Sequence, residues 1–191
     1  MLRVKRCKRI LDDKWRLLNT ERSMARYDHF LACEYGETLE VGPGSGFFTV
    51  LLQKERGVDD IVLLEKSHSC IKLLADMLKT NGISDVLVIE GDVNDTPFMG
   101  RCFDTIVCLE VLEHLINPYK ALKEMARICR KDGNLYISCP IKGSMPPEIF
   151  SGHKQDFDFL ELRTLIESTG WIVYKSFTDD TYQYFYSRRK C

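Results

Sequence analysis

Leu39-Glu40-Val41-Gly42-Pro43-Gly44-Ser45-Gly46-Phe47-Phe48-Thr49 is the stretch on which the fold turns. A short apolar run ends at Val41, and a helical run begins near Phe47. Alternating glycines between them let the backbone turn sharply and approach a ligand closely. Pro43 stiffens the turn. A nicotinamide fingerprint would be G-x-G-x-x-G. Here the spacing is G-x-G-x-G, and Phe47 occupies the position of the last fingerprint glycine. That argues against a dehydrogenase.

Outward from this loop, short β-rich runs alternate with amphipathic helical ones. Strands are expected at Thr38 to Val41, Asp60 to Leu64, Val86 to Ile89, Asp104 to Leu109 and Asn134 to Ser138. Each is largely apolar, as a parallel strand buried on both faces must be. Ser67 is placed to cap a helix with inner face Cys70, Ile71, Leu74, Met77 and Leu78, closed by Gly82. Asn117 before Pro118 starts another, which buries Leu122, Met125, Ala126 and Cys129. Its end is expected at Arg127, Arg130 and Lys131, before Gly133. Asp158 and Glu161 have the spacing of a capping box for a helix ending near Gly170. Trp171 to Phe177 and Tyr182 to Arg188, joined by Thr178 to Asp180, form an expected β-hairpin. Residues 14–35 have mixed helical periodicity. The expected organisation is one domain, with an N-terminal helical segment at 1–35 attached to a main body at 36–191.

Acidic residues punctuate the strand ends. Glu65 closes Ile61-Val62-Leu63-Leu64, 19 residues past Gly46. An acid at that distance is placed to accept ribose hydroxyls. Gly91-Asp92-Val93 follows the third strand, where a carboxylate beside a backbone N–H suits an adenine edge. Leu109-Glu110-Val111-Leu112-Glu113-His114-Leu115 follows the fourth strand, at the sheet edge where ligands of open α/β folds bind.

Together the four segments resemble the class I S-adenosylmethionine-dependent methyltransferases, over roughly Tyr35 to Ser176. The EVLEHL stretch and Gly152-His153 look most like the branch with ubiquinone-biosynthesis O-methyltransferases. The resemblance implies a doubly wound, Rossmann-like seven-stranded sheet, mostly parallel with a C-terminal antiparallel hairpin. It implies S-adenosylmethionine as cofactor. Glu40 and Gly42 would address its methionine amino end, with Gly44 and Gly46 completing the loop. Glu65 would take the ribose, Asp92 and Val93 the adenine, and Glu110 the border between donor and acceptor.

The function implied is in-line methyl transfer to a nucleophilic oxygen, nitrogen or carbon of a small molecule. Alternatives are an RNA or protein methyltransferase, or a non-catalytic nucleotide-binding scaffold. His114 is the candidate base, since an ordinary histidine titrates near pH 6.5. Its other role is a structural histidine in the first turn of a helix. No metal is expected. The alternative is a site of Glu110, Glu113, His114 and His153, because offsets of three and four residues share one helical face. Small RNA 2′-O-methyltransferases have a similar two-Glu, two-His arrangement. His153 lies in a long connection, Gly143 to Asp156, with the character of an acceptor lid.

Composition agrees with a globular enzyme: 45% of the 191 residues are hydrophobic and 29% charged. The formal charge of -1 provides no global field for nucleic acid or an anionic membrane. The basic ends, Arg3 to Arg9 and Arg188 to Lys190, are expected as solvated termini, with contact to phosphates as the alternative. Eight cysteines contain no C-x-x-C pair, and several sit inside apolar runs. They are expected as reduced thiols in a cytoplasmic protein. No run is long and apolar enough for a membrane span.

Overall fold

The computed structural model describes residues 27–144 and 152–190. The basic N-terminal run Arg3 to Arg9 with Cys7, the residue Cys191, and the lid positions Met145, Pro146, Pro147 and Phe150 lie outside the described residues. After a helical stretch at 27–31, the order is β1 (Thr38–Val41), α1 (Phe47–Arg56), β2 (Ile61–Glu65), α2 (His68–Thr80) and β3 (Leu87–Glu90). Then come β4 (Phe103–Leu109), a 3-10 turn (Leu112–His114), α3 (Pro118–Ile128), β5 (Cys129–Pro140), α4 (Phe159–Ser168), β6 (Trp171–Thr178) and β7 (Tyr182–Arg189).

The seven strands form one sheet in the order β3-β2-β1-β4-β5-β7-β6. The pairs β1–β2, β1–β4, β2–β3 and β4–β5 are parallel. β7 runs antiparallel to both β5 and β6. The chain leaves β1 in one direction for β2 and β3, and returns on the other side for β4. The switch point therefore lies between β1 and β4, beside the glycine loop.

Successive residues of a strand point to opposite faces, and the core divides accordingly. Ile106, Leu135, Ile137 and Phe185 pack with Leu122 and Met125 of α3 and Leu162 and Ile166 of α4. Val107, Tyr136, Tyr184 and Tyr186 pack on the other face with Phe30, Phe48, Leu52 of α1 and Leu74 of α2. The helix ends follow their sequence signals. Ser67 Oγ accepts from Cys70 N, Asn117 Oδ1 accepts from Lys120 N, and Asp158 and Glu161 form the reciprocal capping box.

Three expectations need correction. α3 stops at Ile128, so Arg130, Lys131 and Gly133 do not extend its last turn. Cys129 is already extended, at φ −76 and ψ 143, and pairs with Phe103. β5 thus starts five residues before the expected Asn134, across a register shift opposite Phe103/Thr105. α2 also buries only Leu74 and Leu78 of its five expected inner residues, since it covers a sheet edge.

Glu124 on α3 holds the segment entering β4. Its Oε1 accepts from Thr96 N (3.0 Å) and Oγ1 (2.7 Å), and Arg127 grips both oxygens at 2.7 Å while donating to Phe98 O. The Arg127 guanidinium chiefly holds the carboxyl down to about pKa 2. Glu124→Ala leaves buried Thr96 without its acceptor and is expected to cost about 2–3 kcal/mol at pH 7. Because the folded pKa is depressed, this stabilisation is full above the ordinary value of 4.5 and fades as pH falls toward 2. Urea titrations of wild type and variant should converge as the pH is lowered from 5 to 2. A gap independent of pH would show that the carboxylate charge does not carry the stabilisation.

Candidate active site

The glycine loop leaves β1 with three left-handed residues, Gly42 at φ 63, Gly44 at φ 59 and Gly46 at φ 80. An added Cβ would stand 2.7 Å from Val111 Cγ2 at Gly42 and 2.4 Å from Leu74 Cδ1 at Gly46. At Gly44 it would meet nothing within 4 Å. Two glycines therefore press the loop against the protein, and the middle one faces open space. Gly42 N donates to Leu64 O and Gly46 N to Pro43 O. Phe47 begins α1 and is buried with its ring 5.5 Å from that of Tyr27.

Glu40 is enclosed beneath the loop, with Thr49 Oγ1 donating to its Oε2 at 2.6 Å. Burial pushes its pKa up to about 7, against the pull of that hydrogen bond. Glu65 ends β2 and is 8% exposed. It accepts from Gly44 N (3.3 Å) and Ser67 N (2.8 Å), so it braces the loop and caps the approach to α2. Asp92 lies beyond β3 and accepts from Asn94 N (2.8 Å) and Lys66 Nζ (2.6 Å). The Lys66 ammonium is the main reason its pKa falls to about 2. Lys66 is well exposed, so this pair is easily opened by a ligand. Val93 is buried in the core under the same loop.

Glu110 follows β4 in the left-handed region, φ 57, with its N–H donating to Ser138 O at 2.9 Å. This overturns the helical-face argument for four metal ligands. Glu110 precedes the 3-10 turn, so its offset to Glu113 and His114 is not helical. Nor is His114 in the first turn of an α-helix, since α3 begins only at Pro118. The ligand atoms of Glu113, His114 and His153 do converge, all within 4.8 Å of one another. The segment after residue 151 is laid onto the turn: Lys154 N and Gln155 N donate to Glu113 O, and His114 Nδ1 is 3.1 Å from Gly152 O. With its proton on Nδ1, His114 presents Nε2 as a base or a metal ligand. Glu113 is 2% exposed, and the Cys139 thiol, its own pKa raised chiefly by burial, lies 3.6 Å from Oε2. One carboxylate and two imidazoles suit zinc or another divalent transition metal.

The donor set fits S-adenosylmethionine at the level of its chemistry. A cation is served by a buried carboxylate held near neutrality, and a nucleoside by an open glycine turn flanked by acids. Sequence reasoning assigned no site contact to Thr49, Lys66, the Ser67 N–H or the Gly152 carbonyl. Their roles are contacts across loops, with no spacing rule to announce them.

Comparison with known proteins agrees with this architecture. The family described as "Methyltransferase domain" matches residues 39–137, just over half of the chain. The ubiquinone/menaquinone biosynthesis C-methyltransferase UbiE of Idiomarina loihiensis is 25% identical over 153 residues, covering 78% of this chain and 57% of that protein. The chloroplastic 2-methyl-6-phytyl-1,4-hydroquinone methyltransferase 1 of Oryza sativa is 26% identical over 105 residues, 55% of this chain and 31% of that protein. The chain thus spans less than two thirds of the length of these curated relatives. The N-methyltransferase NodS of Bradyrhizobium japonicum, solved with S-adenosyl-l-homocysteine, shares the fold with a TM-score of 0.76 at 18% identity, over 97% of both chains. No helix among the described residues is long and apolar enough to cross a membrane. By its matched domain and its strand order, the chain belongs to the class I S-adenosylmethionine-dependent methyltransferase family.

Proposed function

We propose that this protein transfers a methyl group from S-adenosylmethionine to a nucleophilic oxygen, nitrogen or carbon of a small molecule. The observation that carries this reading is the glycine loop at the switch point, where Gly44 faces open space and donates its N–H to Glu65. The donor, when bound, supplies a sulfonium methyl already activated for displacement. Glu40 and Gly42 bind its amino end, Gly44 and Gly46 form the cradle, Glu65 accepts from the ribose, and Asp92 and Val93 meet the adenine. Glu110 borders donor and acceptor, and His114 removes a proton where the acceptor must lose one. Orientation of donor and acceptor does the rest, with effective molarities on the order of 10⁵ M or more. A small acceptor is favoured by relatives named for quinone and hydroquinone methylation.

The N-terminal segment 1–35 is assigned to the same domain as 36–191, supported by Tyr27 and Phe30 in the core. None of the described cysteines, Cys33, Cys70, Cys102, Cys108, Cys129 and Cys139, is in a disulfide, which fits a reducing cytoplasm. Calorimetry should find S-adenosylhomocysteine binding near micromolar, about −8 kcal/mol. NAD should bind at least a hundredfold more weakly. Equal affinity for NAD would end this reading.

The convergence of Glu113, His114 and His153 favours a second reading of the acceptor side, as a divalent-metal site. It would give Lewis-acid chemistry there and remove His114 from duty as a base. Titration of chelator-stripped protein with Zn²⁺ and Mn²⁺ decides between them. One bound equivalent, weakened at least tenfold by His153→Ala, is the expected mark of the metal site. No binding, or binding indifferent to His153→Ala, leaves His114 as the base.

A further inference from the structure

The basic run at the end of β7 is divided by the structure. Arg189 donates through Nη1 to Cys129 O, and Lys190 through Nζ to Glu167 O at 3.1 Å. Arg188 points to the other face of the strand, where its guanidinium lies 5.7 Å from the ring centre of Tyr174 on β6. There it borders a cavity of about 320 Å³, whose lining includes Lys175, Asn134, Tyr136 and Tyr186. Asn134 pairs with Thr105 near the start of β4, so the cavity lies where the parallel strands begin. The glycine loop lies where they finish.

A β-bulge builds this cavity. Neighbouring strand residues ordinarily face opposite ways, yet Tyr174 and Lys175 both line it. The pairing of β6 with β7 shifts register between Val173 and Lys175, which leaves Tyr174 as an extra residue and lets both side chains face one way. Lys175 Nζ then stands 4.7 Å from the ring centre of Tyr186. The hydroxyl hydrogens of the two floor tyrosines are committed: Tyr186 donates to His29 O at 2.8 Å, and Tyr136 to Glu34 O at 3.1 Å. Their rings are what the floor offers.

The two cations are differently placed from their counterparts elsewhere. Arg127, Arg130 and Arg163 each hold a carboxylate. Among the described residues, Lys175 and Arg188 make no ion pair and meet aromatic faces. Glu34 is the one acid lining the cavity against them, which leaves one positive charge in excess. A larger cavity nearby, about 470 Å³, sets Arg56 against Glu34, Asp59 and Asp60 and has no such excess.

We propose that the cavity between Tyr174, Lys175, Tyr186 and Arg188 binds a small aromatic carboxylate. The guanidinium fork matches a carboxylate, and the Lys175 ammonium adds a second charged contact. The tyrosine rings take a flat apolar body in offset stacking. A volume of about 320 Å³ is at the small end of ligand sites, roughly 300–1,000 Å³, and suits one or two rings. Phosphate fits less well, because it has no surface for the rings to cover and Glu34 opposes a second negative charge. Since this cavity and the glycine loop lie at opposite ends of the strands, occupancy here is separate from methyl transfer.

The test is calorimetric titration of the full chain with 2-naphthoate at pH 7.5. One equivalent should bind, and neutral 2-naphthamide, of the same shape, should bind at least tenfold more weakly. Arg188→Gln and Lys175→Gln should each weaken naphthoate at least fivefold. Lys190→Gln removes the same charge two residues from Arg188 and should leave the affinity within twofold. Near-UV circular dichroism reports whether each variant keeps its fold. The proposal is overturned by a wild type that takes no naphthoate, by equal binding of the amide, or by unchanged affinity in either cavity variant. An equal loss in Lys190→Gln overturns it too, as does displacement of naphthoate by equimolar inorganic phosphate. Should neither cavity variant fold, nuclear Overhauser contacts in the wild type decide. Contacts between naphthoate protons and the rings of Tyr174 and Tyr186 uphold the site, and their absence overturns it.

Discussion

Glu40→Gln should weaken donor binding about a hundredfold at pH 7.5 and, at the same pH, make the free protein more stable. Both effects come from one buried carboxylate. Its pKa stands at about 7 because burial disfavours the charge, and Thr49 offsets only part of that cost. An ordinary glutamate releases its proton at 4.5, so the unfolded chain is charged across a range where the folded one is not. Below pH 4.5 both states hold the proton and nothing is lost. Between 4.5 and 7 the folded state falls behind, and above 7 the penalty is complete, about 3 kcal/mol. Glutamine keeps an oxygen for Thr49 and carries no charge, so the variant should lack this descending limb. The donor reverses the balance, because its ammonium and sulfonium favour the carboxylate. Losing one partner of a buried charge pair costs on the order of 2–5 kcal/mol, which contains the hundredfold expected. Binding at pH 6 should release close to one proton, seen as a buffer-dependent heat in calorimetry. Wild-type affinity should climb about tenfold per unit up to about pH 7. Absent proton release, together with unchanged affinity in Glu40→Gln, would move the donor's amino end away from Glu40.

The parts of this protein that were legible in sequence share a physical reason. Ile61–Glu65 and Phe103–Leu109 announce themselves because parallel strands buried on both faces are largely apolar. Ser67, Asn117 and Asp158 announce helix starts because few side chains can satisfy an exposed N–H. The end of α3 was not legible, since Arg130 and Lys131 suit a helix C-terminus as well as the exposed start of a strand. The choice is made by pairing of Cys129 with Phe103, a contact between distant residues. The same limit applies to the site. Glu40 and Glu65 could be located by their distance from the loop. The separation of Glu110 from Glu113 and His114 could not, because it depends on one left-handed residue that carries no glycine to mark it. His153 reaches His114 through Gly152, where a Cβ would stand 3.4 Å from the ring. A spacing of 39 residues gives no hint of that approach.

Alanine in place of each loop glycine should separate stability from binding. Gly42→Ala carries two costs. A left-handed φ of 63 costs an alanine about 1–2 kcal/mol. The new methyl would lie 2.7 Å from Val111 Cγ2, and a β-branched side chain has little freedom to rotate away. Overpacking of this kind typically adds about 1–3 kcal/mol. Gly42→Ala should therefore lose about 2–5 kcal/mol of stability. It should lose donor binding too, as Val111 drags Glu110 from its place. Gly46→Ala meets Leu74 Cδ1 at 2.4 Å, but that atom is the end of a longer side chain and can yield in part. Gly44→Ala is the informative case. Its Cβ meets no protein atom within 4 Å, so stability should fall only by the backbone cost of about 1–2 kcal/mol. Its N–H can still donate to Glu65. The methyl instead occupies the space assigned to the donor, and S-adenosylhomocysteine affinity should drop at least a hundredfold, about 3 kcal/mol. Urea denaturation and calorimetry on the same preparations measure the two effects independently. A Gly44→Ala protein that binds S-adenosylhomocysteine as the wild type does would show that the open side of the loop is not where the donor lies.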